Sequence, residues 1–270
     1  MVDTTTTGIR GASSDTRATD VTSAAGAKPW LVATVAAVRR ETPTASTLVL
    51  DVDGWPGHLA GQHVDVKLTA EDGYSAQRSY SVASAPDGTS RIEITVQNVA
   101  DGEVSPYLVD VVEAGDRIEI RGPVGRWFVW RPSQPSERPS PPILLVGGGS
   151  GIVPLRAMVR AQASATGGRV PFRVLYSVRE PAEVYFADEW ARPPAGVDIT
   201  MIHTRRAPAG NARPLGRITI EDLDAHGWPA EFEPRCYICG PTSFVDTVAD
   251  MLVERGHSAA NIRTERFGPS

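Results

Sequence analysis

The chain has 270 residues, enough for about two domains, each able to bury its own core. It carries 27 basic and 32 acidic residues, a net charge of −5, which argues against a nucleic-acid binder with its basic footprint. Two cysteines exclude a disulfide scaffold and a four-cysteine zinc or iron–sulfur site built from this chain, and no apolar run approaches the roughly 18 residues a membrane helix needs.

Residues 1–28 are polar and poor in bulky side chains, as in a disordered tail. They hold no apolar stretch of the secretory kind, so a cytoplasmic location is expected. From 29 to 130 short alternating segments follow one another, at 31–38, 47–52, 63–68, 77–82, 91–96 and 117–121. Gly, Pro and Asp mark the turns between them. Short strands at this spacing predict a small antiparallel barrel or sandwich. One short helix interrupts them, with Ser105 as its N-cap and Pro106 as its first helical residue. Residues 131–142 (RPSQPSERPSPP) resist both helix and strand and are expected to link two domains.

The rhythm then changes. An apolar strand at 143–146 leads into Gly147-Gly148-Gly149-Ser150-Gly151 and a helix over 153–163. Strands at 172–176, 197–203, 236–239 and 262–265 alternate with helices near 187–190 and 243–255. This order predicts an α/β domain over 143–270 with a parallel sheet.

The glycine loop lies where such a domain places a phosphate, against backbone N–H groups and the positive end of a helix. Ile152 excludes a P-loop, which needs Lys after the last glycine, and a nucleophile elbow on Ser150, which needs Gly. Pro154 stands where a dinucleotide loop carries its third glycine, and fits as a first helical residue. A turn that merely joins strand to helix would read the same. On 77–82, Arg78 and Tyr80 share a strand face, suited to a phosphate and a planar ring, or to an ordinary exposed surface. Only two of the basic residues are lysines, so anions are expected to meet guanidinium forks. Cys236 and Cys239 lie three apart in a strand, about 10 Å, and face opposite ways. A disulfide needs Cα atoms within about 7 Å, so the pair is not a redox centre. The five histidines lack metal-ligand spacing and are expected at the surface or in turns.

The order of the pieces is more specific than any one of them. Arg78-x-Tyr80-Ser81-x-x-Ser84, Gly102-x-x-Ser105, Gly149-x-Gly151-x-x-Pro154 and Cys239-Gly240-Pro241 together resemble the ferredoxin–NADP reductase superfamily, from about residue 30 to the end. The resemblance implies a six-stranded antiparallel flavin barrel followed by a nicotinamide-binding α/β domain. It implies that Arg78 binds the flavin phosphate, that Tyr80 stacks on the isoalloxazine and that Ser81 bonds near its reactive nitrogen. Ser84 would line the flavin. Gly102, Val104 and Ser105 would hold its phosphates at the helix start. Gly148, Gly149, Ser150, Gly151 and Pro154 would cradle the nicotinamide cofactor's pyrophosphate. Cys239, Gly240 and Pro241 would lie near the nicotinamide ring, and Phe267 of Glu265-Arg266-Phe267 would cover the flavin.

The resemblance further implies FAD, with FMN as the alternative. Ser177, Arg179 and Arg205 end neighbouring strands and suit the extra phosphate of NADPH, with Glu180 a counter-signal for NADH. No fused ferredoxin is seen, so electrons would pass to a separate ferredoxin or oxygenase. A reductase dedicated to one oxygenase or cytochrome P450, a reductase of free flavin and a non-catalytic flavin adaptor are the other readings.

Overall fold

The computed structural model describes residues 28–132, 140–165 and 170–268. The expected tail at 1–28 lies almost wholly outside these, as does most of the expected linker.

The first part holds β1 (Leu31–Thr42), β2 (Ala45–Val52), β3 (His63–Thr69), β4 (Ser75–Ser81), β5 (Arg91–Gln97), α1 (Ser105–Asp110) and β6 (Arg117–Val124). Each strand lies where the alternation places it. The antiparallel sheet runs β4-β3-β6-β1-β2-β5. Its two edges meet at an isolated Val82–Ile94 bridge, and Ala83 N–H donates to the Glu93 carbonyl at 2.7 Å, so the sheet curls into a barrel. Val35, Leu48, Leu50, Val64, Ile92, Ile94 and Ile120 fill its interior. Ser105 departs from expectation. It is the first helical residue rather than the cap, and its Oγ accepts the Val99 N–H at 3.1 Å.

The second part holds β7 (Ile143–Gly148), α2 (Ile152–Ala163), β8 (Phe172–Val178), α3 (Ala187–Trp190), β9 (Val197–His203), α4 (Ile220–His226), β10 (Arg235–Pro241), α5 (Thr242–Glu254) and β11 (Ile262–Phe267). All pairings in the sheet β11-β10-β7-β8-β9 are parallel. The chain leaves β7 for β8 on one side and later reaches β10 on the other, which makes their C-terminal ends the topological switch point where open α/β sheets bind ligands. Cys236 and Cys239 are free and belong to different cores on opposite faces of this sheet.

Helix α2 is buried on nearly every side, because the sheet covers one face and the barrel another. Pro154 is its third residue rather than its first, within the first turn, whose N–H groups lack helical partners anyway. Among the histidines, His203 and His257 are buried rather than at the surface.

Candidate functional site

A cavity of about 840 Å³ opens where the barrel meets the switch point, a size that suits an organic cofactor. The barrel side is made by Ser79, Tyr80 and Ser81 of β4, Thr95 and Gln97 of β5, and Val99. The opposite side is made by Ser150, Val153, the Pro241–Ser243 turn and the strand end at Arg266 and Phe267. The structure thus brings Tyr80, Ser81, Ser150, Pro241 and Phe267 to one cavity from four separate stretches of sequence.

The chemistry of the wall is specific. Ser81 is 6% exposed, and its Oγ is buried with no hydrogen-bond partner among the described residues. A hydroxyl left this way costs free energy unless a ligand completes it. Tyr80 lies beside it, half buried against the barrel core and lining the cavity, and burial pushes its phenol up to about 12, so it is neutral. Phe267 pairs in register with Pro241 and packs on the second domain's core while lining the cavity. It is therefore both an edge-of-core residue and a wall.

The glycine loop closes the site by backbone contact. Gly149 has φ +54°, in the left-handed region where glycine is favoured. A Cβ on Gly151 would stand 2.1 Å from the Cys239 carbonyl oxygen. One on Gly148 would stand 2.8 Å from the Phe244 ring, and one on Gly240 would stand 3.0 Å from the same ring. Strand ends β7 and β10 thus touch through their main chains under Phe244. Cys239 lies behind this contact and does not face the cavity. Burial and then the Glu265 carboxylate, 4.0 Å from its sulfur, raise its thiol well above the usual range, so it is not a thiolate at neutral pH.

Other expected residues lie around the cavity rather than in it. Arg78 is exposed, and its guanidinium is 3.5 Å from Glu103, which also accepts the Tyr74 hydroxyl at 2.7 Å. Gly102 is required by its turn, since a Cβ would meet Ser105 Oγ and the Val99 carbonyl at 2.9 Å. Val104 places its side chain in the barrel core, which leaves only its backbone for a ligand. Ser84 is a correction. Its Oγ accepts the Glu93 N–H at 3.1 Å and it lines a separate cleft of about 740 Å³, because the chain turns away from the cavity at the Val82–Ile94 bridge.

Ser177, Arg179 and Arg205 come together at the ends of β8 and β9, where Arg205 N–H donates to the Arg179 carbonyl at 2.9 Å. Arg179 pairs with Glu183 at 3.8 Å, and Arg206 pairs with Glu180 at 3.3 Å. Three residues that matter were not singled out by sequence. They are Thr95 and Gln97, which share the outward face of β5, and Phe244, an aromatic in the first turn after Gly240-Pro241.

The comparisons with known proteins agree with this geometry. Residues 38–129 match the Oxidoreductase FAD-binding domain family and residues 145–250 the Oxidoreductase NAD-binding domain family. The chain belongs to the ferredoxin–NADP reductase superfamily. It is 28% identical over 214 residues to the glycine betaine monooxygenase reductase subunit of Pseudomonas aeruginosa, covering 78% of this chain and 56% of that one. It is 28% identical over 246 residues to the ferredoxin reductase component of a 3-ketosteroid-9-alpha-monooxygenase from Rhodococcus rhodochrous, covering 88% and 65%. The chain therefore spans a little over half to two-thirds of these relatives. The FAD/NAD-binding domain of a nitric oxide dioxygenase from Vibrio cholerae superposes with a TM-score of 0.75 at 25% identity, over 88% of this chain and 99% of that one. None of the helices among the described residues is long and apolar enough to cross a membrane.

Proposed function

We propose that the chain is a flavin-dependent NAD(P)H reductase that hands electrons to a separate redox protein of an oxygenase system. The observation that carries the reading is the cavity itself, which Ser81 of the barrel and Ser150 of the glycine loop both line, with the enclosed Ser81 hydroxyl left without a partner among the described residues. Bound there, a flavin would take hydride from nicotinamide and release electrons singly.

The chain's own residues would supply position. Arg78 would hold the flavin phosphate through a charge-assisted contact, aided by the turn at Gly102 and Ser105. Tyr80 would support the ring, and Ser81 would donate its free hydrogen bond to it. FAD is favoured over FMN by the family match at 38–129. Gly149 and Gly151 would let the nicotinamide cofactor's pyrophosphate approach the start of α2, where main-chain N–H groups point outward. The Gly240-Pro241 turn would seat its nicotinamide end against Phe267. NADPH is preferred in this reading, because Arg205 forms no ion pair among the described residues while Arg206 engages Glu180, the nearby acidic residue.

The electron acceptor is proposed from the relatives, which are reductase components of monooxygenases. The deciding experiment is visual and spectroscopic. The purified protein should be yellow, and should bleach without oxygen when NADPH or NADH is added. A yellow protein indifferent to both is an electron-relay adaptor, and one that binds no added flavin removes the reading altogether.

A further inference from the structure

The proposed reaction needs two rings, one held by each domain, to meet face to face. The densest polar contact between the domains lies behind the cavity rather than in it. Arg156 of α2 is 2% exposed, and its Nη1 donates to Glu93 of β5 at 2.7 Å and toward the Ala83 carbonyl at 3.4 Å. Its Nε donates to both oxygens of Glu189 in α3 at 3.1 and 3.0 Å, and its Nη2 pairs with the same carboxylate. The guanidinium lies 3.8 Å from the centre of the Phe186 ring. Arg39 of β1 and Arg160 of α2 complete the cluster on Glu93 at 2.6 and 3.1 Å.

A second barrel carboxylate reaches across at the same corner. Glu41 accepts the N–H of Phe186 at 3.1 Å, and Phe186 has φ +58°, a conformation unfavourable for a residue with a side chain. The other oxygen of Glu41 accepts from Thr47 at 2.7 Å, and Thr47 shares a 2.8 Å hydrogen bond with Thr95 of the cavity wall. Burial raises the carboxyls of Glu93 and Glu189, but the surrounding arginines outweigh it and hold both below their ordinary values. The cluster is therefore fully ionised at neutral pH.

Buried ion clusters seldom stabilise a fold more than apolar residues of the same volume would, and in some proteins they serve instead to fix one arrangement. Ala83 is two residues past Ser81, and Arg156 lies on the helix that starts at the glycine loop. We infer that Arg156 is a positioning residue that, through Glu93 and Glu189, sets the separation between the flavin site and the nicotinamide site. The inference rests on the reductase reading above. Hydride transfer needs the reacting atoms about 3–3.5 Å apart, and a 1 Å error costs about a hundredfold in rate.

The test uses Arg156→Lys, which keeps the charge but cannot span both carboxylates, and Glu189→Gln, whose partly exposed side chain makes a milder change. The expected result is a limiting rate of flavin reduction about tenfold lower or more in Arg156→Lys, with a smaller fall in Glu189→Gln. The Michaelis constant for NAD(P)H and the flavin dissociation constant should each move by less than about threefold, since none of the cluster residues lines the cavity. In flavin-free protein, amide exchange across 185–191 should accelerate in both variants. Wild-type limiting rate and exchange in Arg156→Lys would overturn the inference. So would a loss of flavin affinity that tracks the rate in both variants, which marks general destabilisation. If the wild-type protein takes up no flavin, the reductase reading fails, while the exchange data still decide whether Arg156 clamps the domains.

Discussion

One face of β5 meets the second domain twice, with opposite outcomes. At Glu93 the contact is charged and paired with Arg156, Arg160 and Arg39. Two and four residues on, Thr95 and Gln97 face the cavity beside Ser81, whose hydroxyl has no partner. The inward face of the same strand is uniformly apolar, with Ile92, Ile94 and Val96 in the barrel core. The difference teaches how the interface divides its work. Where protein groups satisfy one another, the domains are locked. Where an unpartnered polar group borders the cavity, a ligand has room to complete it.

The sharpest way to break this division is to force the open side apart. Gly151→Ala would put a methyl group 2.1 Å from the Cys239 carbonyl and 2.6 Å from the Gly240 nitrogen, both backbone atoms that cannot step aside. Overpacking of this kind costs about 1–3 kcal/mol and displaces the loop from β10. Flavin reduction by NAD(P)H should fall by about a hundredfold, while flavin titration gives the wild-type affinity. Unchanged nicotinamide affinity would show that the loop does not carry the pyrophosphate.

Next in size is Arg78→Ala. A charge-assisted contact to a phosphate contributes about 1.5–3 kcal/mol, so flavin affinity should weaken by roughly one to two powers of ten. The melting temperature of the flavin-free protein should hardly change, because the Arg78 side chain is 56% exposed and its Glu103 contact is long. Equal flavin affinity in the variant, measured by fluorescence quenching, would remove Arg78 from the site.

Ser81→Ala separates the two sides by sign. Removing a buried hydroxyl that has no partner should leave the flavin-free protein as stable as before, or slightly more so. The same change should slow flavin reduction by about tenfold, the value of one lost hydrogen bond to the reacting ring. Thr47→Val, on the locked side, should behave the other way. It strips the hydroxyl that links Glu41 to Thr95, and calorimetry should show a lower melting temperature. A destabilised Ser81→Ala protein would mean that its hydroxyl is satisfied within the fold.

The open side was largely legible in the sequence and the locked side was not. Strand alternation sets β5 and the other barrel strands, and the order of motifs points to Tyr80, Ser81, Ser150, Pro241 and Phe267. These signals are local, since each depends on a backbone conformation that a few adjacent residues impose. Arg156 carries no such signal. It sits in an apolar helix, and its partners lie 63 and 33 residues away, so only the packed structure reveals that it is buried and paired. Ser84 fails for a related reason. Its motif spacing is right, but the barrel closure at Val82 turns it onto another surface. Helix α4 had a readable start, the capping box of Thr219 and Asp222, which the Gly- and Pro-rich stretch before it obscures.

The smallest expected effect concerns the choice between NADPH and NADH. Three arginines crowd the ends of β8 and β9, and two of them are already engaged, Arg179 with Glu183 and Arg206 with Glu180. Arg205 forms no ion pair among the described residues, and its main chain, like that of Arg206, is tied to the Arg179 carbonyl. An unpaired guanidinium can meet a phosphate without giving up a partner, whereas each engaged pair would first have to break. Arg205→Ala should therefore raise the Michaelis constant for NADPH by about tenfold, the cost of one exposed charge contact, and leave NADH nearly unchanged. Arg206→Ala should have the reverse character. It frees Glu180, whose carboxylate can accept from the ribose hydroxyls that NADH presents, and so should favour NADH modestly. Steady-state kinetics with both cofactors on both variants decide the matter. An equal loss for NADPH and NADH in Arg205→Ala would move that arginine to the shared pyrophosphate, and no change in either would return it to the solvated surface.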